Sequence, residues 1–228
     1  MSRCDPLPTA LGFERPWPQS ADTLPAMSEA RRRSGSNGDL VRCHWATGPW
    51  LTPYHDFEWG VPVHDDGRHL ELLVLEAAQA GLSWLTVLKR RDDYRRAFAD
   101  FEPARVAAFD TRQVEALLSD PGIIRHRQKV ESAVGNAAAL LQIQRDLGSF
   151  DDYIWGFVGG SPVVSRWRMP ADVPATSPLA AALSADLRRR GFRFVGPTIC
   201  YSYMQAAGMV LDHLTSCFRF DDLAARTT

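Results

Sequence analysis

An all-α fold is what this 228-residue sequence predicts. Three observations predict it. Apolar residues recur at helical spacing through most of the chain from Val41 onward, capping and breaking residues punctuate these stretches at helix-length intervals, and alternating apolar–polar runs are few. No internal repeat divides the chain.

Residues 1–40 stand apart. They hold five of the fifteen prolines, show no periodicity, and end in Arg31, Arg32 and Arg33 followed by Ser34-Gly35-Ser36-Asn37-Gly38. This composition predicts a flexible N-terminal extension. The arginine run reads as a solvated tail, with a contact to DNA as the alternative. A globular domain is expected over residues 41–220 and a short C-terminal tail over 221–228.

Within the domain, residues 67–80 read as a helix with Leu70, Leu73, Val74 and Ala77 on one face. A second helix is expected from Trp84 to Phe98. Pro103 suits the first position of a helix, and Asp110 suits the N-cap of one over residues 111–119. Asp120-Pro121-Gly122 breaks that helix, and a long one resumes near Arg125 and runs to about Asp146. Asp151 or Asp152 is expected to cap a short helix ending at Val158, and residues 159–177 read as loop. Pro178 opens a helix that ends at Arg190 with Gly191 as its stop, and a last helix is expected from Thr198 to Cys217.

Composition bounds the function. Hydrophobic residues make up 45% of the chain, with 7 Trp and 11 Phe, so a sizeable core forms and disorder is excluded. The formal net charge of -1 gives no general affinity for polyanions, so any nucleic-acid contact has to come from a local basic patch. No apolar run is long enough to span a membrane, and no secretory core precedes the domain, which predicts a cytoplasmic protein. In that reducing setting Cys4, Cys43, Cys200 and Cys217 read as thiols or metal ligands rather than as disulfides.

His213 and Cys217 are spaced i and i+4. On a helix this puts them on one face, about 5–6 Å apart at Cβ, which suits two bonds to one zinc ion. Cys43 and His55 are candidate partners, but spacing alone does not choose them over His44, His64 and His69. Four protein ligands would close the coordination shell and make the metal structural. Glu76 lies in the apolar run Leu72-Leu73-Val74-Leu75-Glu76-Ala77-Ala78. A carboxylate there either sits on a narrow polar face or is buried for a purpose. Gly122, Arg125, Arg127 and Lys129 follow the predicted break, where backbone N–H groups and cations suit phosphate, although such a cluster is also what a solvated helix face looks like. Lys89-Arg90-Arg91 and Arg188-Arg189-Arg190 are weaker candidates of the same kind.

Several longer blocks carry a resemblance. They are Tyr54-His55-Asp56-Phe57-Glu58-Trp59-Gly60-Val61-Pro62; Leu75-Glu76 through Gln79-Ala80-Gly81-Leu82-Ser83-Trp84; Gly122-Ile123-Ile124-Arg125-His126-Arg127; Gly191-Phe192-Arg193-Phe194-Val195-Gly196; Thr198-Ile199-Cys200-Tyr201-Ser202-Tyr203-Met204-Gln205-Ala206; and Asp212-His213. Over residues 41–218 the chain resembles the 3-methyladenine DNA glycosylase I family of the helix-hairpin-helix superfamily. The resemblance implies a helical glycosylase domain in which one zinc, on Cys43, His55, His213 and Cys217, clips the start of the domain to its end. It places the base-reading carboxylate on Glu76, the group on which catalysis would depend. Tyr54, Trp59 and Trp84 fall on the pocket aromatics, which would stack on a cationic base.

The resemblance further implies a monomer acting on double-stranded DNA that contains 3-methyladenine, with no aspartate assisting at C1′ and no lysine nucleophile. Asp151 and Asp152 are tempting for the first role but read better as helix caps. Two positions depart from the family pattern. Leu51, beside Trp50, stands where a second tyrosine is common, and Ile124 stands where the hairpin usually has its second glycine. A glycosylase of altered base preference and a non-catalytic DNA-binding module are the competing readings. The set Tyr54, Trp59, Glu76 and Trp84 favours an enzyme, because binding plain duplex needs no pocket.

Overall fold

The computed structural model of the chain describes residues 40–226. The N-terminal extension up to residue 39, with Arg31, Arg32 and Arg33, lies outside the described residues, as does Cys4.

The fold is built around α2 (Asp66–Gln79), whose N-cap Asp65 accepts from the Arg68 N–H. The sequence shows one apolar stripe on this helix, yet every residue from 69 to 78 is buried. The cause is its central position: α2 packs against α3 (Trp84–Leu88), α5 (Pro103–Ala107), α7 (Arg127–Leu147), α8 (Phe150–Gly156) and α10 (Pro197–Ala206). Burial all round leaves its two internal carboxylates to find partners or do without. Glu71 takes Arg68 and Arg95; Glu76 faces a cavity described below.

Around this axis the expected helix from Trp84 to Phe98 is two helices. α3, capped by the Ser83 hydroxyl, ends at Leu88, and α4 (Arg91–Ala97) follows. The chain then makes a left-handed turn at Ala99, Asp100 and Phe101, with φ of 53–57°. Asp110 caps α6 (Thr111–Ser119) as expected, in a reciprocal capping box with Gln113. The long helix α7 starts at Arg127, two residues later than expected.

Ser149, not Asp151 or Asp152, caps α8 by accepting from the Asp152 N–H. The Asp151 carboxylate is instead buried between His64 Nδ1 and His69 Nε2, each 3.1 Å away. A serine one residue ahead of the helix competes as a cap, and the two histidines draw the aspartate inward.

Some elements were not legible in the sequence. α1 (Gly48–Phe57) contains Pro49 at its start and Pro53 within it. The helix expected from Thr198 to Cys217 stops at Ala206, because Gly208 turns the chain at φ +70°, where a Cβ would lie 2.4 Å from the backbone at Val61 and Pro62. Beyond it, β2 (Val210–Leu211) pairs in parallel with β1 (Val163–Val164). His213 and Cys217 therefore sit on a loop rather than a helix face, and Cys217 becomes the N-cap of α11 (Phe218–Ala224). Leu223 of α11, inside the expected tail, is buried together with Phe220 just before it. α9 (Pro178–Arg189) lies against α10. No helix among the described residues is long and apolar enough to cross a membrane.

Candidate functional site

Cys43, from the segment before α1, His55, near the end of α1, and His213 and Cys217, from the loop after β2, meet at one buried point. All four ligand atoms lie within 4.8 Å of one another. Cys217 Sγ is 3.4 Å from His55 Nε2 and 3.5 Å from His213 Nδ1, and Cys43 Sγ is 3.7 Å from His213 Nδ1. A tetrahedral zinc with bonds of about 2.0–2.3 Å requires donor separations of about 3.5 Å, so the set fits that ion.

Hydrogen bonding outside the cluster orients both rings. His55 Nδ1 donates to Asp56 Oδ1 at 2.8 Å, leaving Nε2 to face the sulfurs. His213 Nε2 donates to the Trp59 carbonyl at 3.0 Å, leaving Nδ1 to do the same. Burial alone would raise the Asp56 carboxyl, but Arg42 and His55 outweigh it and hold the group below its usual range. Two ring lone pairs and two sulfurs thus converge. Of the sulfurs, Cys217 is held toward the thiolate, first by the Cys43 thiol that donates to it. The rivals His44, His64 and His69 take no part in the cluster.

Next to this cluster lies a cavity of about 330 Å³. Leu51 and Tyr54 of α1 and Trp59 just beyond it form one wall, Ser83, Trp84 and Leu85 at the start of α3 another, and Ser202 and Gln205 of α10 a third. Glu76 and Gln79, from the end of α2, and Trp45 complete the lining. The aromatic rings are mutually packed: Trp45 and Trp59 meet edge to face at 5.0 Å, and Tyr54 lies 5.3 Å from Trp84. Trp50 is 45% exposed and not part of the lining, so the ring missing at Leu51 is not replaced from there. Trp45 had escaped notice in the sequence, although its place two residues after Cys43 is the signal that would have found it.

Two polar groups in this cavity lack partners among the described residues. Glu76 is 5% exposed, receives no hydrogen bond or ion pair, and burial pushes its carboxyl up to about 8. The Trp84 Nε1–H is buried with nothing to donate to. Tyr54 is driven upward too, by burial first and then by the charge of Glu76 beside it. An aromatic-lined cavity with an unpaired carboxyl suits a flat, polar-edged, cationic heterocycle.

The predicted hairpin joins α6 to α7. The Gly122 N–H donates to Asp120 Oδ1 at 2.7 Å, and a Cβ there would stand 2.8 Å from Asp93 Cγ, so the close approach requires glycine. The Ile124 N–H donates to Tyr94 Oη. The three cations differ. Lys129 Nζ donates to the carbonyls of Ala78 and Ala80 at the end of α2, and Arg127 pairs with Glu115 and Glu131. Arg125 is exposed and has no hydrogen bond or ion pair among the described residues. Arg91 is committed to Glu58, and Arg189 and Arg190 to Asp186.

Comparison with known proteins gives a consistent result. The family model described as methyladenine glycosylase matches residues 45–220. The chain is 47% identical over 179 residues to a DNA-3-methyladenine glycosylase 1 of Escherichia coli (strain K12), covering 78% of this chain and 96% of that protein. It is 42% identical over 178 residues to a DNA-3-methyladenine glycosylase of Haemophilus influenzae, again 78% and 96%. A solved structure of the Staphylococcus aureus 3-methyladenine DNA glycosylase I, described as giving the structural basis of 3-methyladenine recognition, is 38% identical. It superposes with a TM-score of 0.77 over 80% of this chain and 98% of that one.

Proposed function

The chain belongs to the methyladenine glycosylase family, and from that premise we propose that it is a base-excision repair enzyme that hydrolyses the N-glycosidic bond of 3-methyladenine in alkylated double-stranded DNA. The free base is released and an abasic site remains. The observation that carries this reading is Glu76, a buried carboxyl with no partner inside a cavity walled by Trp45, Tyr54, Trp59 and Trp84.

Methylation at N3 makes the adenine cationic. The nucleotide must first leave the stack, at a cost of a few kcal/mol that is smaller for a damaged base. In the cavity, the aromatic faces stack on the cation, and Glu76 releases its proton to solvent, becomes the counter-charge and accepts from the exocyclic amine. Undamaged adenine brings no charge to offset the cost of ionising Glu76 there, so it is disfavoured. The methylated base departs as a neutral molecule and needs no acid to protonate it. Water then attacks C1′ of the oxocarbenium-like sugar. Among the described residues the cavity lining contains no lysine and no aspartate, which supports a monofunctional hydrolysis without a lyase step.

Zinc, when bound by Cys43, His55, His213 and Cys217, supplies a structural clip. Four protein ligands leave it no open position for chemistry. Duplex grip is assigned to the Gly122 hairpin and Arg125, with Arg127 available if its glutamates release it and Lys129 bracing the end of α2. We further infer a monomer working in the reducing cytoplasm, where the ligand cysteines stay unoxidised.

The test is release of free base from methylated duplex DNA, with the product strand examined before and after alkaline cleavage. The expected result is released 3-methyladenine and an uncut strand that breaks only in alkali. Absence of base release overturns the reading, and a strand nick trapped by borohydride overturns its monofunctional part.

A further inference from the structure

We propose that Gln205 is a specificity-determining residue of the cavity, its amide carbonyl reading the amino group of the base, and that Asp212 is the positioning residue that fixes this orientation. The inference rests on the proposed glycosylase function and narrows it.

The argument starts at Asp212, which is 2% exposed. Its Oδ1 accepts from Trp167 Nε1 at 2.9 Å, and its Oδ2 accepts from Tyr201 Oη at 2.5 Å and from Gln205 Nε2 at 2.7 Å. An indole N–H can only donate, and a carboxylate can only accept. Asp212 is therefore a buried acceptor with three donors converging on it. The two ends of a glutamine amide are nearly the same size, so neighbouring groups decide which way it faces. Here the decision is made: Nε2 is committed to Asp212, and Oε1 is the end left for the cavity that Gln205 lines.

This adds a second acceptor to the lining that also holds Glu76. The two acceptors are not equivalent. Glu76, with its carboxyl pushed up to about 8, can hold a proton near neutrality and donate to a carbonyl as readily as it accepts from an amine. Gln205 has no such freedom, because turning its amide would break the bond to Asp212 and set a carbonyl against a carboxylate. The exocyclic amine at C6 of adenine has two hydrogens, one for each acceptor. Guanine carries a carbonyl at C6, which Glu76 can accommodate and Gln205 cannot. Gln205 is thus the group that makes the pocket select a 6-aminopurine when Glu76 alone would not. A pocket built around a hydrogen-bonding group discriminates against the analogue that mismatches it far better than an apolar pocket does.

The experiment measures binding of free 3-methyladenine and free 3-methylguanine by quenching of tryptophan fluorescence. The parent is compared with Gln205→Leu, Gln205→Met, Asp212→Asn and Tyr201→Phe, each checked for metal content and melting temperature. Tyr201→Phe removes one donor from Asp212 but leaves the Gln205 bond in place. For the Gln205 variants, affinity for 3-methyladenine should fall roughly 3- to 10-fold, the value of one neutral hydrogen bond. Affinity for 3-methylguanine should hold or rise, so the ratio narrows. Asp212→Asn should narrow it as well with metal retained, and Tyr201→Phe should leave it unchanged.

Parent-like discrimination in both Gln205 variants overturns the inference, and so does an equal narrowing in Tyr201→Phe, which would mark general loosening. If the parent binds 3-methyladenine while the variants keep its ratio, only the role of Gln205 falls. If the parent binds neither base, the glycosylase reading falls with it.

Discussion

The Cys43–His55–His213–Cys217 cluster and the neighbouring cavity are both rich in aromatic side chains and share the stretch from Cys43 to Trp59, yet they treat polar atoms in opposite ways. In the cluster, each ring nitrogen that does not face the sulfurs has a partner: Asp56 for His55 and the Trp59 carbonyl for His213. In the cavity, the Glu76 carboxyl and the Trp84 N–H have none among the described residues. Folding normally eliminates unpaired buried polar groups because each costs about 1–3 kcal/mol. A region that satisfies its polar atoms internally is organised for stability. A region that leaves them open is organised for a ligand that will satisfy them. The two also touch: Trp45 follows Cys43 by two residues, Tyr54 precedes His55, and the carbonyl of Trp59 holds His213.

The sharpest way to break this contrast is to remove the metal. In Cys217→Ser, or after chelation, we expect zinc content to fall to near zero and stability to drop by about 4 kcal/mol or more, the scale of losing a structural metal. Binding of 3-methyladenine should be lost in parallel, because Trp45, Tyr54 and Trp59 of the cavity lining are held at the cluster. Elemental analysis, thermal melting and base binding follow the three effects. A folded, metal-free protein that still binds the base at parental affinity would show that the two regions are independent.

The next effect separates an unsatisfied from a satisfied carboxylate by the sign of its pH dependence. Glu76 has a folded pKa raised to about 8, against about 4.3 unfolded. The folded protein keeps a proton that the unfolded chain gives up. Its contribution is therefore fully present below about pH 4 and is lost as pH rises through about 8. Glu76→Gln never ionises, so its stability relative to the parent should improve between pH 5 and pH 8, by an amount on the order of a few kcal/mol. Base binding should fall roughly 10- to 150-fold, the value of a charge-assisted hydrogen bond.

Asp151 is the counterpart. Burial works to raise its carboxyl, but hydrogen bonds from His64 and His69 prevail and hold it far below the ordinary range. That contribution is present above about pH 4, near the unfolded pKa, and is lost as pH falls below it. Asp151→Asn should therefore be destabilised most at neutral pH, with the gap to the parent closing in acid. Melting temperatures of both variants from pH 3 to pH 9 test the pair, and parallel curves for Glu76→Gln and the parent would mean that this carboxyl is not buried unpaired.

How much of this was readable in the sequence depended on how local the determinants are. The cap at Asp110, the helix-opening Pro178 and the break at Asp120-Pro121-Gly122 act within a few residues, and they marked α6, α9 and the hairpin. α1 was missed because Gly48, Pro49 and Pro53 read as loop, whereas the helix is held by packing on α3 and by the burial of Tyr54 and His55. The end of α10 was missed because it is set by Gly208 pressing against Val61 and Pro62, well over a hundred residues away in the chain. For the same reason, spacing suggested His213 and Cys217 but could not choose Cys43 and His55. The family resemblance singled these out, and the structure brings the four together. The role of Asp151 depends on His64 and His69, both more than eighty residues away in the chain, so no local pattern marks it.

The smallest predicted effect concerns the third region, the hairpin, where the same distinction between satisfied and open groups ranks three cations that look alike in sequence. Lys129 is spent on the carbonyls of Ala78 and Ala80, and Arg127 on Glu115 and Glu131. Arg125 is exposed and engaged with nothing among the described residues. A phosphate approaching Arg127 has to compete with two glutamates, whereas Arg125 meets it unencumbered. Arg125→Ala should therefore weaken binding to damaged and undamaged duplex alike and lower the slope of log K against log salt by about 1, the signature of one lost phosphate contact. Arg127→Ala should change the slope by less, and Lys129→Ala should act mainly on melting temperature through the end of α2. A salt series of duplex binding on the three variants measures the ranking. Equal slopes for Arg125→Ala and the parent would mean that the exposed cation is only a solvated charge, and that the duplex is held by another face.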